Sequence, residues 1–516
     1  MYNNYTPLQQ RQLALQEYSN TQSTYLLVCA PARSTALKST LTDQLHRKFR
    51  LVDRLGGELT ASVDGVLLAA EDVELMSTAL MYFAKALQDG ADYAVCNAVF
   101  GFGGATALYQ SQPLQAQNRC AVVSRTLLER CRAAAHDPEN VPELLALAAQ
   151  LCTRPTLIPQ ALLHYERGIC AEDAFSAHGK RAFIMSHVLD MTGAPIVLVS
   201  AVPVLRSMGY EVLVLGPSDG GSLHLFLDAG ASVITRSSCR NVSDAWGMAL
   251  CADFVIVNTV VMARAVRALS GTAVPVLWWL HDAFAGYPHI AHQIPTQLGE
   301  NVRVYSVGSH AANAMHAVRP EFEIRPLIYG LPDYAAENFV RTDLGYNRGR
   351  PLFATVGSFE RRKGHDIFCK AIRLLPPEVR EKASFLFVGQ AADKEMMDSV
   401  RTLTADYPEN VFYCKRLTRD EIKSLMEQCT GLVCASRDDP MPTFVTEGLI
   451  FGKPSIVSEH TGTAGLISEG RNGFVYHNDD PQQLAVLLEH AIEHPEELAS
   501  MRTECRKMYE QYYSKE

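Results

Sequence analysis

Between Ser436 and Glu459 the chain reads SRDDPMPTFVTEGLIFGKPSIVSE. Two adjacent carboxylates, Asp438 and Asp439, run into Pro-Met-Pro, and Glu447 follows Asp439 after seven intervening residues in an apolar run. A carboxylate accepts hydrogen bonds from vicinal hydroxyls, as the acid of a dinucleotide-binding strand does from ribose. Asp439 and Glu447 are too far apart for adjacent helix turns, so they suit two separate hydroxyl-bearing parts of one ligand. Pro442 suits the first turn of a helix, and Gly452 with Pro454 marks its end. The stretch therefore predicts a strand, an acidic loop, a short helix from about Thr443 to Phe451 and another strand. The start of such a helix offers free N–H groups and the positive end of its dipole, which favour an anion such as diphosphate.

A second group of chemically able residues lies in ATVGSFERRKGHDIFCKAI. A strand ends at Gly357, and Arg361, Arg362 and Lys363 follow in a loop before a helix starting near Asp366. Three cations at the carboxyl end of a strand can neutralise a diphosphate leaving group. An isolated Lys/Arg triplet is more often a solvated basic turn, but this one faces an acid-and-helix site. Thr192-Gly193-Ala194 stands between a strand and a helix, where Gly193 lets the backbone approach a ligand closely; loop glycines are common, so alone this is a weak sign. His281-Asp282 follows the apolar run VLWWL. A lone His is more often structural than catalytic, and its place beyond a parallel strand makes it a candidate. The chain has neither a G-x-G-x-x-G fingerprint nor a Walker A lysine pattern, which disfavours an NAD-dependent oxidoreductase.

These loops need sheets to hold them. From about Lys180 onward, short β-rich runs alternate with helical stretches: AFIMSH, EVLVL, SVIT, DFVIVN, VPVLWWL and VRVYSV, then PLFATVG, SFLFVG, NVFYC, GLVCA, PSIVS and GFVY. Continuous apolar strands between helices imply parallel sheets covered on both faces. Twelve strands exceed one typical sheet, and IYGLPDYAAENFVRTDLGYNRGRP reads as a linker. The expected architecture is α/β, with two doubly wound domains facing a cleft, at 180–335 and 345–495, and a C-terminal helix at 496–516. Ligands of such sheets bind beyond the carboxyl ends of the strands. Residues 1–172 read as a smaller, mixed α/β domain with strands in YLLVCA, FRLVDRL, GVLLAAEDV and DYAVCNAVFG. Within it ELMSTALMYFAKALQDG is an amphipathic helix and TLIPQALLHYERG a closing strand.

With 516 residues, two or three domains are expected. A hydrophobic content of 47% and a charged content of 20% are those of a soluble globular protein. A net charge of −9 gives no general attraction to nucleic acid or anionic membrane. The 13 scattered cysteines form no Cys-x-x-Cys pair, which reads as buried, reduced thiols in a cytoplasmic protein without structural zinc. The N-terminus does not read as a signal peptide, and no apolar run reaches membrane-spanning length, so any membrane contact is expected to be peripheral, at the inner face. Oligomeric state is not legible.

Together these residues resemble a known family. From about 180 to 510 the chain closely resembles the retaining, nucleotide-sugar-dependent glycosyltransferases of family 4, which have the GT-B fold. Asp439-x7-Glu447 matches their acid-x7-acid motif, with Asp in place of the usual Glu. Gly357 to Lys363-Gly364 matches their Gly-x5-Lys-Gly segment, with Ser358 where Arg is frequent. MTGAP and VPVLWWLHDAF resemble their acceptor-domain signatures. The resemblance implies that Glu447 binds the ribose, Asp439 the transferred sugar, and Lys363, helped by Arg361 or Arg362, the diphosphate. N–H groups around Thr443 and Phe444 would hold phosphate oxygens, and His281 would contact the donor sugar or the acceptor. It implies a hexosyltransferase-like enzyme of polysaccharide or cell-surface glycan assembly, acting on a glycan or lipid-linked acceptor, with no metal or other cofactor. It further implies that the departing phosphate can itself take the acceptor's proton, and that the helix at 496–516 can cross back to the 180–335 domain.

The N-terminal third resembles a worn copy of the GT-A domains of family 2 glycosyltransferases, in GVLLAAEDVELMSTALMYFAKALQDGADYAVCNAVFG, RCAVVSRTLLERC and LIPQALLHYE. Their metal-binding acids would fall near Ala69 to Glu71, their next Asp at Asn97 and their Glu-Asp base pair near Glu139-Asn140. A degenerate, inactive domain is expected, with an unrelated α/β module as the alternative. For the whole chain the alternatives are a nucleotide-sugar epimerase of the same architecture, for which no acid/base set beyond His281 is visible, and a non-catalytic sugar-nucleotide-binding protein.

Overall fold

The computed structural model describes residues 23–29, 34–55, 59, 62–70, 73–102, 106–110, 119–165, 179–218, 220–236, 239–240 and 247–514. The chain divides into two compact units, Met1–Val276 with Gly299–Asn301, and Leu277–Leu298 with Val302–Glu516. The sequence reading draws its boundaries instead at 172–180 and 335–345. No break falls at the first of these because one sheet runs across it.

In the first unit, the strands of the N-terminal third are β1 (Leu26–Cys29), β2 (Phe49–Val52), β3 (Gly65–Ala69), β4 (Glu74–Leu75), β5 (Tyr93–Phe102), β6 (Thr106–Gln110), β7 (Cys120–Ser124) and β8 (Pro155–Tyr165). Then come β9 (Lys180–Met185), β10 (Tyr210–Gly216), β11 (Ser232–Arg236) and β12 (Phe254–Asn258). Neighbours run β12-β9-β10-β11-β6-β5-β7-β3-β1-β2, and β8 joins at β5. From β12 to β11 the strands are parallel. The joint is β6, antiparallel to both β5 and β11. Its backbone groups are thus paired on both sides, and the mixed N-terminal sheet continues into the parallel one. The amphipathic helix read from Glu74 begins only at Ala79, because Glu74 and Leu75 pair as a strand with Leu163 and His164. It buries Leu80, Met81 and Phe83.

In the second unit lie β13 (Val276–Leu280) from its second residue on, β14 (Val302–Ser306), β15 (Ile324–Pro326) and a six-stranded sheet. That sheet consists of β16 (Leu352–Val356), β17 (Ser384–Val388), β18 (Val411–Cys414), β19 (Gly431–Cys434), β20 (Ser455–Ser458) and β21 (Gly473–Tyr476). Its order is β18-β17-β16-β19-β20-β21, and every pairing is parallel. Strands β17 and β19 are fully buried, which is why they read as unbroken apolar runs. All twelve runs read as strands beyond Lys180 form strands; the short β15 was not read. Chain direction across the sheet reverses between β16 and β19, so the loops following these two strands flank a topological switch point, where such sheets bind ligands.

The last helix, Arg502–Tyr512, closes this unit. Arg506 makes a two-pronged pair with Asp333 at 3.0 and 2.9 Å, and the Tyr509 hydroxyl donates to the Leu331 carbonyl at 2.9 Å. Among the described residues, no helix is long and apolar enough to cross a membrane.

Candidate functional site

The loop after β16 and the loop after β19 touch backbone to backbone. Gly364 has φ 65°, and a Cβ there would stand 1.8 Å from the Ala435 carbonyl oxygen. Any side chain would push the loops apart. Arg437 N–H donates to the Arg362 carbonyl at 2.7 Å, tying them further. On its other side the acidic loop is held by the one after β20: Asp439 N–H donates to the His460 carbonyl and Gly462 N–H to the Asp439 carbonyl.

This approach lets Lys363 reach Asp439, Nζ to Oδ2 at 2.6 Å, with Asp439 only 4% exposed. The rest of the basic triplet goes elsewhere. Arg362 turns to Glu360 at 3.0 Å and to the Asp438 carbonyl, while Arg361 is exposed. Gly357 directly follows β16 and donates its N–H to the Val388 carbonyl. A solvated basic turn therefore describes Arg361 and Arg362 better than Lys363.

The predicted helix is present at Thr443–Ile450, with Phe451 as its C-cap and Gly452 just after at φ 70°. Phe444, Val445, Leu449 and Ile450 are buried and anchor it. No side chain caps its first turn and no acid lies there. Among the described residues the Thr443 and Phe444 N–H groups have no acceptor, so they are available to an anion. Glu447, one helical turn in and 7% exposed, accepts from Arg419 Nη1 at 2.6 Å through Oε1. The Arg419 guanidinium lies 4.1 Å from the centre of the Tyr334 ring.

His281 packs between rings, 4.7 Å from Trp279 and 6.3 Å from Tyr329. The Tyr329 hydroxyl, pushed up to about 12 by burial, is 3.3 Å from Thr443 Oγ1 at the helix start. Asp438, which the sequence did not separate from Asp439, points elsewhere. It accepts from His310 Nε2 at 2.7 Å, Ala285 N at 2.9 Å and Phe284 N at 3.2 Å. Burial pushes its carboxyl up, but these donors outweigh burial and hold it below the usual carboxylate range.

Nine of the ten residues singled out from the sequence lie in the second unit; Gly193 lies in the first. It opens helix Gly193–Ser207, and a Cβ there would meet nothing within 4 Å. Arg419, Tyr329 and His310 were missed. His310 follows β14 as His281 follows β13, and that shared position was its one legible signal. Arg419 had none, since its partner lies 28 residues away.

The loop geometry rests on Arg437, which pairs with both oxygens of Asp366 at 2.8 Å and with Asp479 at 2.9 Å. Burial raises the Asp366 carboxyl, and the hydrogen bonds and charge of Arg437, with those of Lys370, together more than reverse that. Asp366→Asn is expected to cost about 3 kcal/mol at neutral pH, because it leaves a mostly buried guanidinium half-paired. A depressed carboxyl stabilises above its unfolded value and loses this as pH falls through its folded value. The gap between wild type and variant should therefore close below about pH 4. Urea titrations at pH 7 and pH 3 measure it; equal midpoints at pH 7 would count against the pair.

In the N-terminal third, Ala69 is buried in β3, and Asn97 is buried with its amide donating to the Pro159 carbonyl at 3.0 Å. Asn140 caps helix Val141–Leu151, accepting from Glu143 N–H. Glu71 lies outside the described residues. Among the described residues no three His, Cys, Asp or Glu side chains converge on a common metal position.

The doubly wound sheets with their ligand loops at a switch point define the class first: solved structures with the same fold are GT-B proteins. Anabaena HepE in complex with UDP covers 65% of this chain and 96% of its own, with a TM-score of 0.52 and 18% identity. Sucrose-phosphate synthase from Thermosynechococcus elongatus covers 65% and 95%, with a TM-score of 0.53 and 14% identity. Within that class, residues 178–321 match the model of glycosyl-transferase family 4 and residues 337–508 that of glycosyl transferases group 1. These matches support a family-4-like glycosyltransferase chain of GT-B fold. Among curated proteins, spore coat protein SA of Bacillus subtilis is 27% identical over 160 residues, 29% of this chain and 41% of that one. An uncharacterized glycosyltransferase of Methanocaldococcus jannaschii is 27% identical over 151 residues, 28% and 40%. The chain thus spans about two fifths of the length of these relatives.

Proposed function

We propose that the chain is a retaining, metal-independent glycosyltransferase that moves a sugar from a nucleotide-sugar donor to a glycan or lipid-linked acceptor. One observation carries this reading. Two charge pairs, Lys363–Asp439 and Arg419–Glu447, flank an uncapped helix start at Thr443. Three structures of one protein of the same fold, Anabaena HepE, in complex with UDP, with UDP and glucose and with UDP-glucose support a nucleotide sugar as the ligand.

With Oε1 held by Arg419, Glu447 offers its second oxygen to the ribose hydroxyls. The Thr443 and Phe444 N–H groups donate to the diphosphate. Lys363, preset by Asp439, neutralises the charge that develops as the bond between the sugar C1 and the diphosphate oxygen breaks. Asp439 accepts from hydroxyls of the sugar. The acceptor oxygen bonds C1 on the face the diphosphate leaves, and its proton passes to a diphosphate oxygen. Bonds and charges balance without a separate base. Arg361 and Arg362 keep a secondary place, and His281 faces the donor sugar or the acceptor. The N-terminal third is, on this reading, a degenerate GT-A-like domain whose Asn97 and Asn140 now serve its own backbone.

The test is a panel of nucleotide sugars, scored by binding and by slow donor hydrolysis. One donor should bind, its C1–O bond should be cleaved, and transfer should retain anomeric configuration. If no nucleotide sugar binds, the reading fails; an inverted product removes retention, and an epimerised donor favours the epimerase. Chelation with EDTA should leave turnover within about twofold, because the cation and helix start fill the role of a metal. A loss restored by Mg²⁺ would refute metal independence.

A further inference from the structure

Asp438 has no part in the chemistry above, yet it is among the most heavily bonded carboxylates of the second unit. Its side chain is 13% exposed and its His310 partner 10%. Oδ1 accepts from His310 Nε2 and Phe284 N–H, and Oδ2 from Ala285 N–H. The two N–H groups belong to the turn that begins with His281-Asp282 after β13. The carboxylate belongs to the loop whose next residue is Asp439. His310 packs edge-on against Phe284 at 5.2 Å and lies 6.2 Å from His460, the residue whose carbonyl holds Asp439 N–H. A second tie runs from the His281 ring to Tyr329 and from the Tyr329 hydroxyl to Thr443.

We infer that Asp438, braced by His310, is a positioning residue of the transfer reaction: it fixes the His281 turn to the sugar-binding loop, so that His281 stands at a set place beside the donor sugar. The adjacent carboxylates divide the work, Asp439 facing Lys363 and Asp438 facing the turn. A carboxylate is needed because only an acceptor-only group satisfies three donors at once; an amide would turn its own N–H toward one of them. His310 serves because its N–H makes a short, charge-assisted bond that keeps the carboxylate ionised and aimed. The inference rests on the glycosyltransferase reading and adds a coupling between the turn and the loop.

The experiment uses the full chain, UDP as the nucleotide probe, and the donor that the panel identifies. Asp438→Asn and His310→Ala are expected to bind UDP as wild type does by calorimetry while kcat for donor cleavage falls about 10- to 100-fold, the loss of a well-placed charged hydrogen bond. His310→Gln keeps an N–H donor at that reach and should recover most of the turnover. Such a split between affinity and turnover, with rescue by Gln, is not produced by general destabilisation. If His310→Ala keeps wild-type kcat, or if His310→Gln falls as far as His310→Ala, the inference is overturned and the glycosyltransferase reading stands. If wild type binds no nucleotide, both fall.

Discussion

Lys363→Ala is expected to lower kcat about 100- to 1000-fold, the scale of removing a preorganised charge from a developing anion. Lys363 is the one cation of its triplet that reaches the buried acid of the neighbouring loop, at 2.6 Å. Its ammonium is therefore already placed and largely desolvated, so under the proposed function it would need no reorganisation when a donor's diphosphate takes on charge. The variant has a second consequence, since Asp439 would remain buried without a cation. Such a residue either becomes protonated or destabilises its loop by several kcal/mol, on the order of 3–5. The double variant Lys363→Ala with Asp439→Asn removes that strain. It should regain thermal stability and stay catalytically poor. Single-turnover donor cleavage, with thermal melts alongside, measures both. Turnover within about threefold of wild type in Lys363→Ala would show that the cation does not serve the leaving group.

Glu447→Ala is expected to weaken UDP binding about 100-fold, the loss of two hydroxyl bonds to a charged acceptor. Glu447 is buried on a helix anchored by apolar neighbours, so its carboxylate is held still for the ribose that the proposed function places there. Arg419 keeps its place over Tyr334 and is half exposed, so the surviving guanidinium is solvated and the fold tolerates the change. The specific signature is a loss of discrimination. Wild type should prefer UDP over its 2′,3′-dideoxy analogue by about the same 100-fold, and Glu447→Ala should hardly distinguish them. Equal affinity of wild type and variant for UDP would remove Glu447 from the ribose site.

Much of the framework was readable. The apolar runs of β17, β19 and β20 form strands because a strand buried on both faces needs apolar residues throughout, and the other nine runs keep enough of that local pattern to be read. The helix after Pro-Met-Pro was readable to within one residue, since Pro442, Gly452 and Pro454 act through their own backbone geometry. The helix read from Glu74 started late because pairing with a strand about 90 residues on outweighed local helical pattern. The joint at β6 was invisible for the same reason: β6 is placed by its partners, and one of them, β11, lies beyond residue 230.

At the site, the sequence alone determined which groups are available: a Lys in a loop after a strand, two acids with seven residues between them, and a helix start between them. Tertiary structure decided which of them meet. It selected Lys363 from three adjacent cations, split Asp438 from Asp439, and brought in Arg419, Tyr329 and His310. The reason is the spacing of neighbouring parallel strands. Loops far apart in the chain emerge side by side from β16 and β19, and a glycine lets their backbones touch. At that distance, side-chain reach and burial, which no local pattern encodes, set the pairs.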